Sequence, residues 1–192
     1  MEDPGRLRNE ELQSLPLFPL PTTVLFPRTD LRLHVFEPRY LAMLEHCMQS
    51  HGVMAVVLLR PGFERDYQGC PPVYEVAGAG RIRKAQRLPD GSFEILLRGS
   101  ERVRVLEEEP PSDRRPFRTA RCARLKEKEP REDMSELDGC LRGLALRVAG
   151  AVPEIRRPIV QLLEEIEDGG ILLADQLACR LIPDPYVRQQ VL

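Results

Sequence analysis

No run of apolar residues in this 192-residue chain approaches the roughly 18 needed to cross a bilayer. The opening MEDPGRLRNEELQ also lacks the apolar stretch of a secretory signal. The expectation is a cytoplasmic chain with no membrane partner. The five cysteines, Cys47, Cys70, Cys122, Cys140 and Cys179, are odd in number, far apart and never arranged as C-x-x-C. His34, His46 and His51 form no H-x-x-x-H pair. Those spacings argue against a zinc framework or a disulfide scaffold and leave the cysteines as small core residues of a reducing compartment. No metal and no cofactor is expected. There is no G-x-x-x-x-G-K-[ST], so the phosphate cradle of an AAA+ ATPase is missing. Gly78-Ala79-Gly80 begins like a dinucleotide fingerprint, but Arg83 occupies the third glycine position and a strand follows it where a helix is needed. Gly80 reads instead as a packing relief or a bulge. Lysine is scarce, at 3 of the 28 basic residues.

What is present describes an ordinary globular chain: charged residues make up 30% and apolar residues 42%, which rules out wholesale disorder. The net charge of −2 gives no global pull toward nucleic acid or membrane. Residues 1–126 hold 20 basic and 17 acidic side chains, and residues 127–192 hold 8 and 13. That asymmetry is mild, and no long block of like charge exists, so the charges read as solvated surface.

The densest signal lies in residues 15–40, LPLFPLPTTVLFPRTDLRLHVFEPRY. Leu15, Leu17, Phe18, Leu20, Val24, Leu25 and Phe26 are buried-strand material, while Pro16, Pro19, Pro21 and Pro27 break it and confine any strand to edges or bulges. Leu31, Leu33 and Val35 alternate with Arg32 and His34, the period of a half-buried strand. Pro38 then suits the first turn of a helix, with Tyr40, Leu41, Leu44 and Cys47 or Met48 following at helical spacing. Glu37 and Arg39 are expected to fix this strand-to-helix corner, with Tyr40 packed beneath.

The string resembles the opening of the LON domain, the N-terminal substrate-recognition domain of ATP-dependent Lon proteases. The motif residues are Leu17-Phe18-Pro19-Leu20, Leu25-Phe26-Pro27 and Leu33-His34-Val35-Phe36-Glu37-Pro38-Arg39-Tyr40. One departure is Arg28, where many relatives carry glycine, which predicts an altered turn. The resemblance continues through Gly80-Arg81-Ile82, Leu88-Pro89-Asp90-Gly91 and Gly99-Ser100-Glu101-Arg102-Val103, and through the closing LADQLACRL and YVRQQVL stretches.

Read on periodicity, residues 53–59 form a buried central strand after Gly52 closes the first helix. Strands are expected over 73–76, 81–88, 92–98, 101–106 and 117–125, with Asp90-Gly91 turning a hairpin. The charged, proline-bearing stretch 107–116 is expected to lack regular structure. EKEPRED at 127–133 marks a switch to helical spacing. Leu137, Leu141, Leu144 and Val148 make one stripe, capped by Ser135 or Asp133 and ended by Pro153. Ile155, Ile159, Leu162, Leu163 and Ile166 make a second, started or kinked by Pro158 and stopped at Gly169-Gly170. Leu173, Leu177 and Leu181 make a third, and Asp184-Pro185 starts a fourth. The expected class is α+β. By the resemblance, a β-rich, PUA-like pseudo-barrel with one short helix (1–126) precedes a C-terminal helical bundle (127–192), both within one LON domain.

The resemblance implies a non-enzymatic module that recognises exposed apolar or unfolded polypeptide as an adaptor for proteolysis, with a protease or chaperone as a further partner. Lon proteolysis uses a lysine-activated serine, and no sequence around Lys84, Lys126 or Lys128 resembles that site. Binding was expected in a groove between the two halves, rimmed by the loop 60–72, whose Phe63 and Tyr67 are the candidate peptide contacts. Phe18, Pro19, Phe26, Pro27, His34, Phe36, Glu37, Pro38, Arg39 and Tyr40 are read as mainly structural. A second reading takes the arginine-studded strands 81–87 and 98–104 as a PUA-like RNA surface, a role resting on fold analogy alone.

Overall fold

A computed structural model describes residues 6–126, 134–166 and 170–192. Six strands come first: β1 Leu15–Leu20, β2 Asp30–Val35, β3 Val53–Leu58, β4 Val76–Arg87, β5 Phe93–Glu109 and β6 Thr119–Arg124. Helix α1, Pro38–Gln49, sits between β2 and β3, and a 3-10 turn, Phe63–Asp66, lies between β3 and β4. Helices α2 Ser135–Ala151, α3 Pro153–Glu165, α4 Gly170–Leu181 and α5 Pro185–Val191 follow. The class is α+β.

Strand order is β2-β5-β4-β3-β1-β6, and β5 also pairs with β6. Strand β5 achieves this by length. Its first half, Phe93 to Arg98, pairs with β2, and its second half, from Val103 to Glu109, pairs with β6, while β4 runs along its other edge. Strands β5, β4, β3, β1 and β6 therefore close on themselves. Full closure removes the unpaired edges that an open sheet would expose. All six residues of β3 are buried, as a central strand with two covered faces must be.

Three expectations are corrected here. Strands β4 and β5 are each continuous where breaks were read at their glycines; register shifts at Ala79/Gly80, Ile82/Lys84 and Val105/Glu107 absorb the irregularity instead. Glu107, Glu108 and Glu109 belong to β5, paired with Arg121, Ala120 and Thr119, because Arg118 and Arg121 neutralise the acidic run. Strand β1 lies between β3 and β6 despite two prolines. It pairs with β6 only at Leu15 and Pro16. Leu17 N–H reaches Arg118 O on that side. Pro19, two residues on, faces the same side beyond the end of that pairing, where its missing N–H deprives no partner.

The loop after β1 carries Val24, Leu25, Phe26 and Pro27, all buried. It lies against β4 and β5 at three glycines. A methyl group on Gly78 would stand 1.7 Å from Leu25 O, one on Gly99 2.0 Å from Phe26 O, and one on Gly80 2.5 Å from Arg98 O. The glycines are thus the space that admits this loop. Beside it, Arg28 takes φ 57, the left-handed region that glycine favours.

Ala145, Ala149, Ile159, Leu162, Leu173 and Leu177 form a core among α2, α3 and α4. Of the stripe expected on α2 only Leu141 packs against it: Leu137 is 61% exposed and Leu144 49%, and Val148 is exposed too. The small side chains face inward because α3 and α4 pack close. Met134, with no side-chain cap, stands at the N-cap of α2, and Ser135 is already its first residue; Asp133 lies outside the described residues. Pro153 both follows α2 and opens α3, which continues through Pro158. Gly170 opens α4, and Gly169 lies outside the described residues. Asp184 caps α5 by accepting the N–H groups of Tyr186 and Val187. Among the described residues no helix is long and apolar enough to cross a membrane.

Candidate functional site

Pro38 occupies the first turn of α1, with Glu37 at the N-cap position. Glu37 caps no backbone N–H. Its carboxylate instead accepts hydrogen bonds from Arg39 Nε at 3.1 Å and from the Tyr67 hydroxyl at 2.7 Å. Arg39 Nη1 donates to Tyr67 O at 3.1 Å, and its guanidinium stacks between the Tyr40 and Tyr67 rings at 4.7 and 5.0 Å. These contacts clamp the loop 60–72 onto the helix start. The two candidate rings are therefore half-buried: Phe63 and Tyr67 lie 6.1 Å apart and pack against the strand core. Burial, and donation to the Glu37 carboxylate, raise the Tyr67 phenol above its usual value.

The clamp walls a narrow cleft of about 20 Å³, room for roughly one water molecule. Pro19, Leu59 and Phe117 form its apolar lining, Pro71, Pro111 and Pro116 its proline-rich wall, and Tyr40 reaches it from α1. Arg118 Nη1 holds Pro71 O at 2.9 Å, and its other nitrogens pair with Glu108. Tyr40 is only 6% exposed and stacks on Phe18 at 4.7 Å. Burial pushes its phenol up to about 12. Its hydroxyl is not among the buried atoms left without a partner and opens on the cleft. The cleft thus offers an apolar lining and two arginines paired with carboxylates, with Arg39 Nη2 buried and making no hydrogen bond.

The other motif residues are distributed differently. Phe26 and Pro27 lie in the buried loop over the glycines, and Phe26 joins Val24, Leu58 and Ala178 where α4 meets the strands. His34 meets the Ser92 hydroxyl at 2.8 Å. Phe36 is 63% exposed, its ring 5.6 Å from that of His34. This packing occupies part of the seam between the two halves, where a small cleft remains beside Pro27, Arg28, Ile171 and Leu172, and the loop 60–72 lines a separate cleft built from the strand half alone. Phe117, Arg118 and the three wall prolines carried no motif. Pro71 reaches Tyr40 through the loop 60–72, and Pro111, Pro116, Phe117 and Arg118 return to it from more than 70 residues away through the β5–β6 connection.

The arginines of the RNA reading are largely engaged. Arg81 bonds Glu11, Arg98 pairs with Asp30, Arg102 with Asp175 and Arg104 with Glu75, while Arg87 lies over the Phe93 ring.

Residues 14–192 match the family model described as the ATP-dependent protease La (LON) substrate-binding domain. The chain belongs to the LON substrate-binding domain family. It is 28% identical to Lon protease 2 of Myxococcus xanthus over 195 aligned positions, covering 100% of this chain and 23% of that protein. It is likewise 28% identical to the Lon protease of Anaeromyxobacter dehalogenans, covering 100% of this chain and 22% of that one. The LON chain described here therefore spans under a quarter of the length of these relatives. Among solved structures, the N-terminal domain of a Mycobacterium avium complex Lon protease superposes with a TM-score of 0.71 at 14% identity, covering 93% of this chain and 89% of that one. A Lon N-terminal domain protein from Xanthomonas campestris gives 0.54 at 25% identity, covering 93% and 95%.

Proposed function

We propose that this LON chain recognises exposed apolar segments of unfolded or flexible polypeptides, does no covalent chemistry of its own, and serves proteolysis as an adaptor beside a protease or chaperone. The observation that carries the reading is the family match over residues 14–192 to a substrate-binding domain. The proline- and aromatic-lined cleft beside α1 supports it, since such surfaces gain affinity by apolar burial. On this reading the closed strands are a PUA-like pseudo-barrel and helices α2 to α5 a bundle beside it, two subdomains dividing near residues 126 and 127. Phe63 and Tyr67 then contribute as the clamped rim of the cleft.

The test is titration of the full chain into fluorescein-labelled, reduced and carboxymethylated α-lactalbumin, a permanently unfolded probe, with the native form as control. Binding to the unfolded form alone, without consumption of ATP or cleavage of the probe, is the expected outcome. Phe63→Ala with Tyr67→Ala should weaken that binding several-fold. Equal binding to native protein, or hydrolysis by the purified chain, would overturn the proposal.

A further inference from the structure

Helix α2 carries an apolar stripe that the rest of the described chain leaves uncovered. Met134, Leu137, Leu141, Leu144 and Val148 recur at alternating steps of three and four residues, the a and d positions of a short heptad pattern. Leu141 is tucked partly into the helical core, and the other four are exposed. A contiguous apolar face on a folded chain marks an interaction surface. The spacing says what fits it, because such a seam takes its knobs from another helix with the same repeat.

The chain's own remaining segments do not supply that helix. Residues 1–5, 127–133 and 167–169 read MEDPG, EKEPRED and EDG, none with an apolar face. The two flanks of the stripe also differ. On one side Ala145 enters the core with α3 and α4, and Asp138 accepts from Arg142 and from the Gly170 N–H. On the other side Glu136, Cys140 and Arg147 are exposed. A parallel copy would set this open flank against the occupied one, whereas an antiparallel copy sets open flank against open flank. Charge favours the same arrangement: Glu136 near the start of α2 is brought toward Arg147 near the end of the other copy, where a parallel pair would place like beside like.

We propose that this face docks a second copy of the chain, α2 against α2 and antiparallel, with Leu141 opposite Leu144 and Leu137 opposite Val148 of the other copy. Each contact then occurs twice about a twofold axis, as an isologous interface requires. Helix α2 is already held by its packing on α3 and α4, so association orders little new chain. The seam is short and belongs at the transient end of protein interfaces, which gives monomer at about 1 µM and dimer at about 500 µM. At the lower concentration the face is open, and substitutions on it leave the fold unperturbed. The inference does not depend on the polypeptide-binding reading.

Sedimentation equilibrium of the full chain across that range should show monomer passing to dimer. Leu137→Glu with Leu144→Glu should stay monomeric throughout, with an unchanged melting temperature at about 1 µM. Orientation is read by cysteine pairing in a Cys70→Ser, Cys140→Ser background, which removes the exposed thiols. Leu137→Cys with Val148→Cys should cross-link between copies under mild oxidation. Neither substitution alone should do so, since each residue stands about 16 Å along the axis from its own copy, too far for a disulfide.

A monomer at every concentration, a dimer that survives the glutamate pair, or self-linking by Leu137→Cys alone would each overturn the proposal. A monomer whose α2 amide resonances shift on adding unfolded α-lactalbumin would assign the face to a client instead.

Discussion

At the scale of single residues, backbone conformation explains positions that composition does not. Arg28 stands at φ 57 with an exposed side chain, and a left-handed conformation costs an L-residue roughly 1–2 kcal/mol, part of which glycine returns as extra freedom of the unfolded chain. Its carbonyl accepts from Gln176 Nε2 at 2.7 Å, a contact that does not need the side chain. Arg28→Gly should accordingly stabilise the fold by about 1 kcal/mol, a rise of roughly 2–4 °C in melting temperature for a chain of this size. A calorimetric scan checks it, and an unchanged or lower melting point would contradict it. The departure at Arg28 predicted an altered turn, but the residue takes the left-handed conformation that glycine favours. The roles of Gly78 and Gly99 were not legible, because the atoms they make room for, Leu25 O and Phe26 O, lie more than 50 residues away in sequence.

Elements were legible where one periodicity acts alone. The Asp90-Gly91 hairpin, the start of α1 at Pro38 and the start of α5 at Pro185 follow from local turn and cap chemistry, with Gly91 at φ 88 and Asp184 accepting two N–H groups. Strands β4 and β5 were read as fragments because glycine weakens a strand locally, while pairing along both edges of β5 restores it. On α2 the apolar stripe was only partly right, since Ala145 and Ala149 with Leu141 meet the core of α3 and α4, while Leu137, Leu144 and Val148 do not. This yields a sharp contrast. Leu137→Glu with Leu144→Glu should shift stability by less than about 0.5 kcal/mol, as exposed sites do. Ala149→Leu should cost about 1–3 kcal/mol by overpacking. Urea titrations of the two variants compare them directly, and a large loss in the glutamate variant would mean that this face is covered.

For the whole molecule, the question is what joins the strands to the helices. Arg102 on β5 donates to Asp175 on α4 at 2.5 Å, with both side chains largely buried, and its Nε reaches Leu192 O at 2.5 Å. Gln189 adds a bond to Val76 O at 2.9 Å, and Phe26 and Leu58 pack against Ala178. Removing one member of a buried pair strands the other charge and costs about 3–5 kcal/mol, so Asp175→Ala should be severe. Arg102→Met with Asp175→Leu should recover much of the loss. Chemical denaturation of the single and double variants measures the coupling, and additive losses would show that the pair does not act as a unit. The cleft itself was illegible in sequence for the same reason as this junction: its walls come from residues 19 to 118, gathered only by the long return of β5 and β6.

That return has a bearing on biosynthesis. Strand β1 is made about a hundred residues before its second neighbour, β6, is complete at Arg124. Until then the greasy Leu15–Leu20 segment has one side unmated, and closing so distant a partner is slow. A nascent chain of this family is, for those seconds, itself a flexible apolar polypeptide in need of a guardian.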